Sequence, residues 1–144
     1  MDLLHKTIDY GILGMLGILS ILSLAIAGER WWCFRKITVC AFSDKLSLEK
    51  TLTQHLHLIA TIGSNAPYIG LLGTVLGIML TFYTMGHGGI MDAPKIMAGI
   101  ALALKATAAG LLVAIPSVTA YNLLLRRVKV LLMEWEIEHG RKKL

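Results

Sequence analysis

Apolar residues run almost without interruption through three stretches of this chain, 10–28, 67–85 and 96–125. A membrane span needs roughly 20 apolar residues, so the pattern predicts three transmembrane helices. Between the first two, Leu48, Leu52, Leu56 and Ile59 recur on one face behind Ser43 or Asp44 as N-cap, which predicts an amphipathic helix outside the bilayer. Gly63, Ser64 and Asn65 then read as punctuation, with Pro67 opening the second span. Gly86, His87, Gly88 and Gly89 fit a tight turn, and Asp92, Ala93 and Pro94 read as the cap and first turn of the last helix. Past the third span, Leu124, Val128, Leu131 and Trp135 keep the helical period among Arg126, Lys129, Glu134, Glu136 and Glu138. That helix is therefore expected to continue out of the membrane, with an apolar stripe that needs a neighbour. The expected fold is all-α: a polytopic membrane protein forming one domain, 1–144.

Composition strengthens this picture. With 56% apolar and 16% charged residues and a mean hydropathy of +0.68, 144 residues cannot enclose a core within a polar shell, because a small domain is mostly surface. Lipid has to cover part of it. The basic residues then set the orientation. Arg30, Arg35, Lys36, Lys45 and Lys50 lie in 29–66, and Arg126, Arg127, Lys129, Arg141, Lys142 and Lys143 lie in 126–144. Both segments are expected in the cytoplasm, the N-terminus outside and the C-terminus inside. The net charge of +5 thus reads as a topology signal and as contact with anionic headgroups, not as nucleic-acid binding. Ala25, Ile26 and Ala27 resemble a signal-peptidase site. Cleavage there would leave Trp31, Trp32 and the arginines on the outer face against the positive-inside trend, so a retained first helix is the expectation.

Polar residues inside the spans are few and mostly small. Residues 67–85 and 96–125 contain no Asp or Glu, a single charge at Lys105, and the hydroxyls of Thr74, Thr81, Thr107 and Thr119. On an ideal helix Gly70, Gly77, Ile78, Thr81 and Met85 share a face with Thr74, and Ile100, Ala103, Gly110, Leu111, Ala114 and Val118 share one with Thr107. Gly73 and Gly77 form a GxxxG pair, and with Gly70 and Gly110 they permit close approach of another helix. Helix packing accounts for the glycines; the mid-membrane threonines invite a further role. Lys105 lies about 200° around the helix from Thr107 and so outside that stripe. The residues leave open whether it snorkels, pairs with a partner or meets a headgroup. Pro116 predicts a kink or local break, with Ser117 placed to satisfy the freed carbonyl.

The segment 66–77 (APYIGLLGTVLG), the segment 106–117 (ATAAGLLVAIPS) and the following Tyr121 and Asn122 resemble the ExbB/TolQ/MotA family of proton-driven motor proteins. The motifs carry the resemblance over 66–122, and the three-span layout extends it to the rest, closest to the short ExbB-type members. The resemblance implies a bacterial inner-membrane protein forming a five-subunit ring. That ring would surround the single-span helices of an ExbD-like partner and act with TonB to energise outer-membrane import. It also implies that Thr74 and Thr107 flank an essential aspartate of that partner; Thr81, on the Thr74 stripe, is read with them as support for the proton pathway. One departure is plain: many family members carry a glutamate five residues before the third-helix threonine, where this chain has Leu102.

The residues agree with a borrowed acid. A proton crossing a membrane needs a group that is charged and neutral in turn, and these spans have no carboxylate, so the titrating group is expected from another chain. Threonine hydroxyls both donate and accept, which suits a supporting shell. Other chemistry finds no footing. Cys33 and Cys40 are read as free cytoplasmic thiols. His55 and His57 point to different helix faces and are not read as a zinc site. The glycine-rich turn lacks a GK[ST] ending, and no nucleophile or acid pair converges, so neither an enzyme nor a cofactor is expected. The alternatives kept open are a TolQ-like subunit of a cell-envelope Tol system and a small oligomeric channel that works alone.

Overall fold

The structure, a computed structural model, describes residues 2–38, 41–88 and 93–141. Four helices make up almost all of them: α1 (Asp2–Lys36), α2 (Lys45–Thr53), α3 (Leu56–Gly88) and α4 (Ala93–Arg141). Three helical segments are long and apolar enough to cross a membrane, Tyr10–Lys36, Lys45–Gly86 and Ala93–Arg141. The second of these runs across the α2–α3 junction, and only its α3 part has the apolar length of a span. The all-α, three-span fold expected from the sequence is therefore present.

Helices α3 and α4 pack along one another, and α1 lies against both. Leu16 of α1 meets Ile62 and Ala66 of α3 and Val113 and Ala114 of α4 in one buried cluster. A second cluster brings the amphipathic segment into the bundle: Leu48 and Leu52 of α2 and Leu56 and Ile59 of α3 pack with Phe34 of α1 and Leu124, Val128 and Leu131 of α4. The stripe beyond the third span thus finds its neighbour in α2, and Trp135 Nε1 donates to the Phe42 carbonyl at 2.9 Å. Lys45 pairs with Glu136 across the same joint. That partner raises the lysine pKa above its ordinary 10.5, by hydrogen bond and by charge. On the lysine's side the contribution is therefore complete below 10.5 and is lost as pH rises through the raised value. Both side chains are exposed, so salt screens the pair.

The punctuation at residues 63–65 is not a break. Helix α3 runs through it, and Pro67 lies inside the helix. Gly63 serves packing instead: a Cβ there would stand 2.8 Å from Val118 Cγ2 and 3.3 Å from Ser117 Cβ. The chain breaks earlier, at Gln54 and His55, where His55 takes φ 65°. Arg30 explains how this junction is held. Its buried guanidinium donates to the Thr51 carbonyl at 3.4 Å and to His55 Nδ1 at 2.8 Å, so a cation from α1 sits at the C-terminal end of α2. A guanidinium only donates, which makes Nδ1 the acceptor and places the imidazole proton on Nε2. Arg30 Nε is buried without a partner. The expected turn after the second span also begins later than predicted, since Gly86 to Gly88 are still helical; Gly89 and the Asp92 cap lie outside the described residues.

Pro116 does not end α4 either. The Ser117 hydroxyl donates to the Val113 carbonyl at 2.8 Å, its own i−4 acceptor, and not to the Leu112 carbonyl that Pro116 frees. Ser117 also accepts a hydrogen bond of 2.7 Å from Ser23. These two buried hydroxyls join α1 to α4 and satisfy one another where no water is at hand. The outward faces are apolar: Ile18, Ile21, Leu72, Met79, Leu112 and Ile115 are all exposed, as suits a protein covered by lipid or by further membrane helices.

Candidate functional site: the seam between α3 and α4

The seam is built from missing side chains. A Cβ on Gly70 would come within 2.6 Å of the Ala106 carbonyl and 3.1 Å of Gly110 Cα, and one on Gly110 within 2.6 Å of the Ala66 carbonyl. Here the two backbones touch. On the same face Gly73 meets Ala106, together with Ile12 of α1, and Gly77 meets Ala103. The four glycines read from the sequence as packing positions thus all lie in this contact.

Close approach brings the two threonines together. Thr74 Oγ1 and Thr107 Oγ1 are 2.5 Å apart. Thr74 also reaches the Ala103 carbonyl on the opposite helix at 3.1 Å and its own Gly70 carbonyl at 3.3 Å, and Thr107 reaches the Gly70 carbonyl at 3.4 Å. Each hydroxyl has one proton to give, so the pair has two donor orders. In one, Thr107 donates to Thr74 and Thr74 to the Ala103 carbonyl. In the other, Thr74 donates to Thr107 and Thr107 to the Gly70 carbonyl. The switch between them turns hydroxyl rotors and needs no heavy-atom movement. Thr74 is buried and Thr107 half-buried, so Thr107 is the member that borders the protomer surface.

The other candidates fall elsewhere. Thr81 shares the Thr74 face but bonds to its own Gly77 carbonyl at 2.8 Å and packs against Gly99, where a Cβ would stand 2.6 Å from its hydroxyl. Thr119 also bonds within its helix, to the Ile115 carbonyl. Lys105 is exposed, as is Leu102, and neither joins the threonine pair. His57 is exposed while His55 is engaged by Arg30. Cys33 is a half-buried free thiol, and Cys40 lies outside the described residues. No cluster of three metal-ligating side chains occurs among the described residues. Three contacts escaped the sequence reading: Gly99 under Thr81, the Ser23–Ser117 bond, and the Arg30–His55 bond. Isolated serines, a single arginine and a histidine give no periodic signal. The signal that could have found Ser23 is its place as a polar residue in an apolar run, which implies burial.

Fold and site together define a multi-pass helical membrane protein whose central feature is a hydroxyl pair in a small-residue helix seam. The chain belongs to the MotA/TolQ/ExbB proton channel family, whose sequence profile matches residues 41–137. It is 54% identical to the biopolymer transport protein ExbB of Aquifex aeolicus over 140 residues, 97% of this chain and 95% of that one. It is 52% identical over 136 residues to a putative ExbB-like protein 2 of Helicobacter pylori, 94% of this chain and 91% of that one. Both matches run nearly end to end, so the chain is of the short ExbB type. A more local match, 44% over 84 residues, covers 58% of this chain and 36% of the Tol-Pal system protein TolQ of Pseudomonas aeruginosa.

Proposed function

We propose that this chain is the channel-forming subunit of an inner-membrane motor that uses the proton-motive force to energise TonB-dependent import across the outer membrane. The observation that carries the reading is the Thr74–Thr107 pair, set mid-membrane in spans that contain no carboxylate. Copies of the chain form a ring, five in number by the family resemblance, around an ExbD-like single-span partner whose aspartate titrates. The N-terminus faces outward and the basic segments 29–66 and 126–144 face the cytoplasm. Thr107, at the protomer surface, donates to the carboxylate while accepting from Thr74, and accepts from the protonated acid while donating to Thr74 or to the Gly70 carbonyl. A donated hydrogen bond favours the carboxylate, and an accepted one favours the acid. The pair serves both states.

The end-to-end likeness to ExbB proteins supports the TonB system over a Tol system, since the TolQ match covers only part of either chain. Replacing Thr74 or Thr107 by Val keeps the shape and removes the hydroxyl. A lost hydrogen bond to a charged group costs about 1.5–3 kcal/mol, so either variant is expected to cut energised uptake by roughly ten- to a hundredfold while the purified ring keeps its mass. Normal uptake by both variants would remove the threonines from the mechanism. Ring particles that conduct protons at full rate with no second polypeptide would replace the motor reading with that of a self-sufficient channel.

A further inference from the structure

A recess of about 250 Å³ opens between the end of α1 and the middle of α4, lined by Trp31, Phe34, Arg35 and Arg127. Its level along the molecule follows from the sequence: Trp31 to Arg35 come just after the first apolar stretch, and Arg127 just after the third. Both walls therefore stand where hydrocarbon gives way to headgroups. Phe34 is buried in the core at the floor, while Trp31 is half exposed at the rim.

The two arginines are the unexplained part. Arg30 pairs with Glu29 and Lys45 with Glu136, whereas among the described residues no carboxylate pairs with Arg35 or Arg127. Arg35 complements the helix C-terminus of α1, whereas Arg127 lies well inside α4, away from its C-terminus. Two arginines lining one cavity suit a phosphate diester, because a guanidinium can bind its oxygens in bidentate fashion. A free phosphate would need only the guanidinium groups. The indole and phenyl walls beside them suit the glycerol backbone and first methylenes of a lipid.

We infer that Arg35 and Arg127, with Trp31 and Phe34, form a binding site for the headgroup of an anionic glycerophospholipid. The site ties the end of α1 to α4 through the lipid, and it does not depend on the motor reading. The test uses the full chain purified in a neutral detergent, titrated with phosphatidylglycerol, phosphatidylcholine or inorganic phosphate, and followed by thermal unfolding and native mass spectrometry. Phosphatidylglycerol is expected to raise the unfolding temperature and to remain bound to the intact protein in the mass spectrum, whereas the other two do neither. The double variant R35Q/R127Q is expected to bind phosphatidylglycerol roughly tenfold or more weakly. R126Q/K129Q, which removes two exposed charges outside the recess, is expected to keep the wild-type response. Equal losses in the two double variants would mean a diffuse charge effect and would overturn the site. Full stabilisation by inorganic phosphate would identify a free-anion site in place of a lipid one. Retention of phosphatidylglycerol by R35Q/R127Q at wild-type affinity would also overturn it.

Discussion

At the scale of single residues, the seam depends on what Gly70 and Gly110 lack. Their neighbours are backbone atoms, which cannot rotate away as the end of a side chain can. Gly70→Ala is therefore expected to lower stability by about 1–3 kcal/mol through overpacking and to pull Thr74 from Thr107. Gly140→Ala, with open space around it, is expected to be neutral or slightly stabilising because alanine favours the helix. Unfolding of the two variants in matched detergent, followed by circular dichroism, checks the contrast; equal stability would mean that α3 and α4 are free to slide apart. The faces of Thr74 and Thr107 were legible in the sequence because helical geometry alone orders residues on an apolar rod. Their direct contact was not, since it depends on the rotation and depth of one helix against the other.

At the scale of elements, apolar periodicity located the spans and the α2 stripe, but the glycine, serine, asparagine and proline signals between them misled. Those signals describe backbones in water. Within a helix packed along its neighbour Gly63 is used for close contact with Val118, and Pro67, where the second span begins, is accommodated inside the helix. The real interruption falls at His55, a residue type that carries no strong turn signal, and a side chain from 25 residues earlier in the chain holds it. His55→Ala removes the acceptor of a buried arginine and is expected to cost about 1–3 kcal/mol. His55→Asn tolerates the left-handed backbone and offers an acceptor oxygen, so it is expected to recover much of that loss. Limited proteolysis across residues 53–57 checks the pair of variants. If both are cleaved alike, the Arg30 contact does not hold the junction.

At the scale of the whole molecule, the proposed topology sets the α2 joint and the end of α4 together on the cytoplasmic side of the membrane. A Gly140→Cys variant in a Cys33→Ser, Cys40→Ser background is expected to react with an impermeant maleimide only after the inner membrane is opened. Labelling of intact spheroplasts would invert the topology. The 49 residues of α4 form one helix with Pro116 accommodated inside it, a rod of about 73 Å against a hydrocarbon layer of about 30 Å. Thr107 divides that rod unequally: about 51 Å of helix runs from it to Arg141, and roughly the last 24 Å lies beyond the third apolar stretch with Val128 and Leu131 packed on α2. Tilting that longer part by about 5° would carry its tip about 4 Å at that length, and α2, held to it by the same packing, would have to move with it.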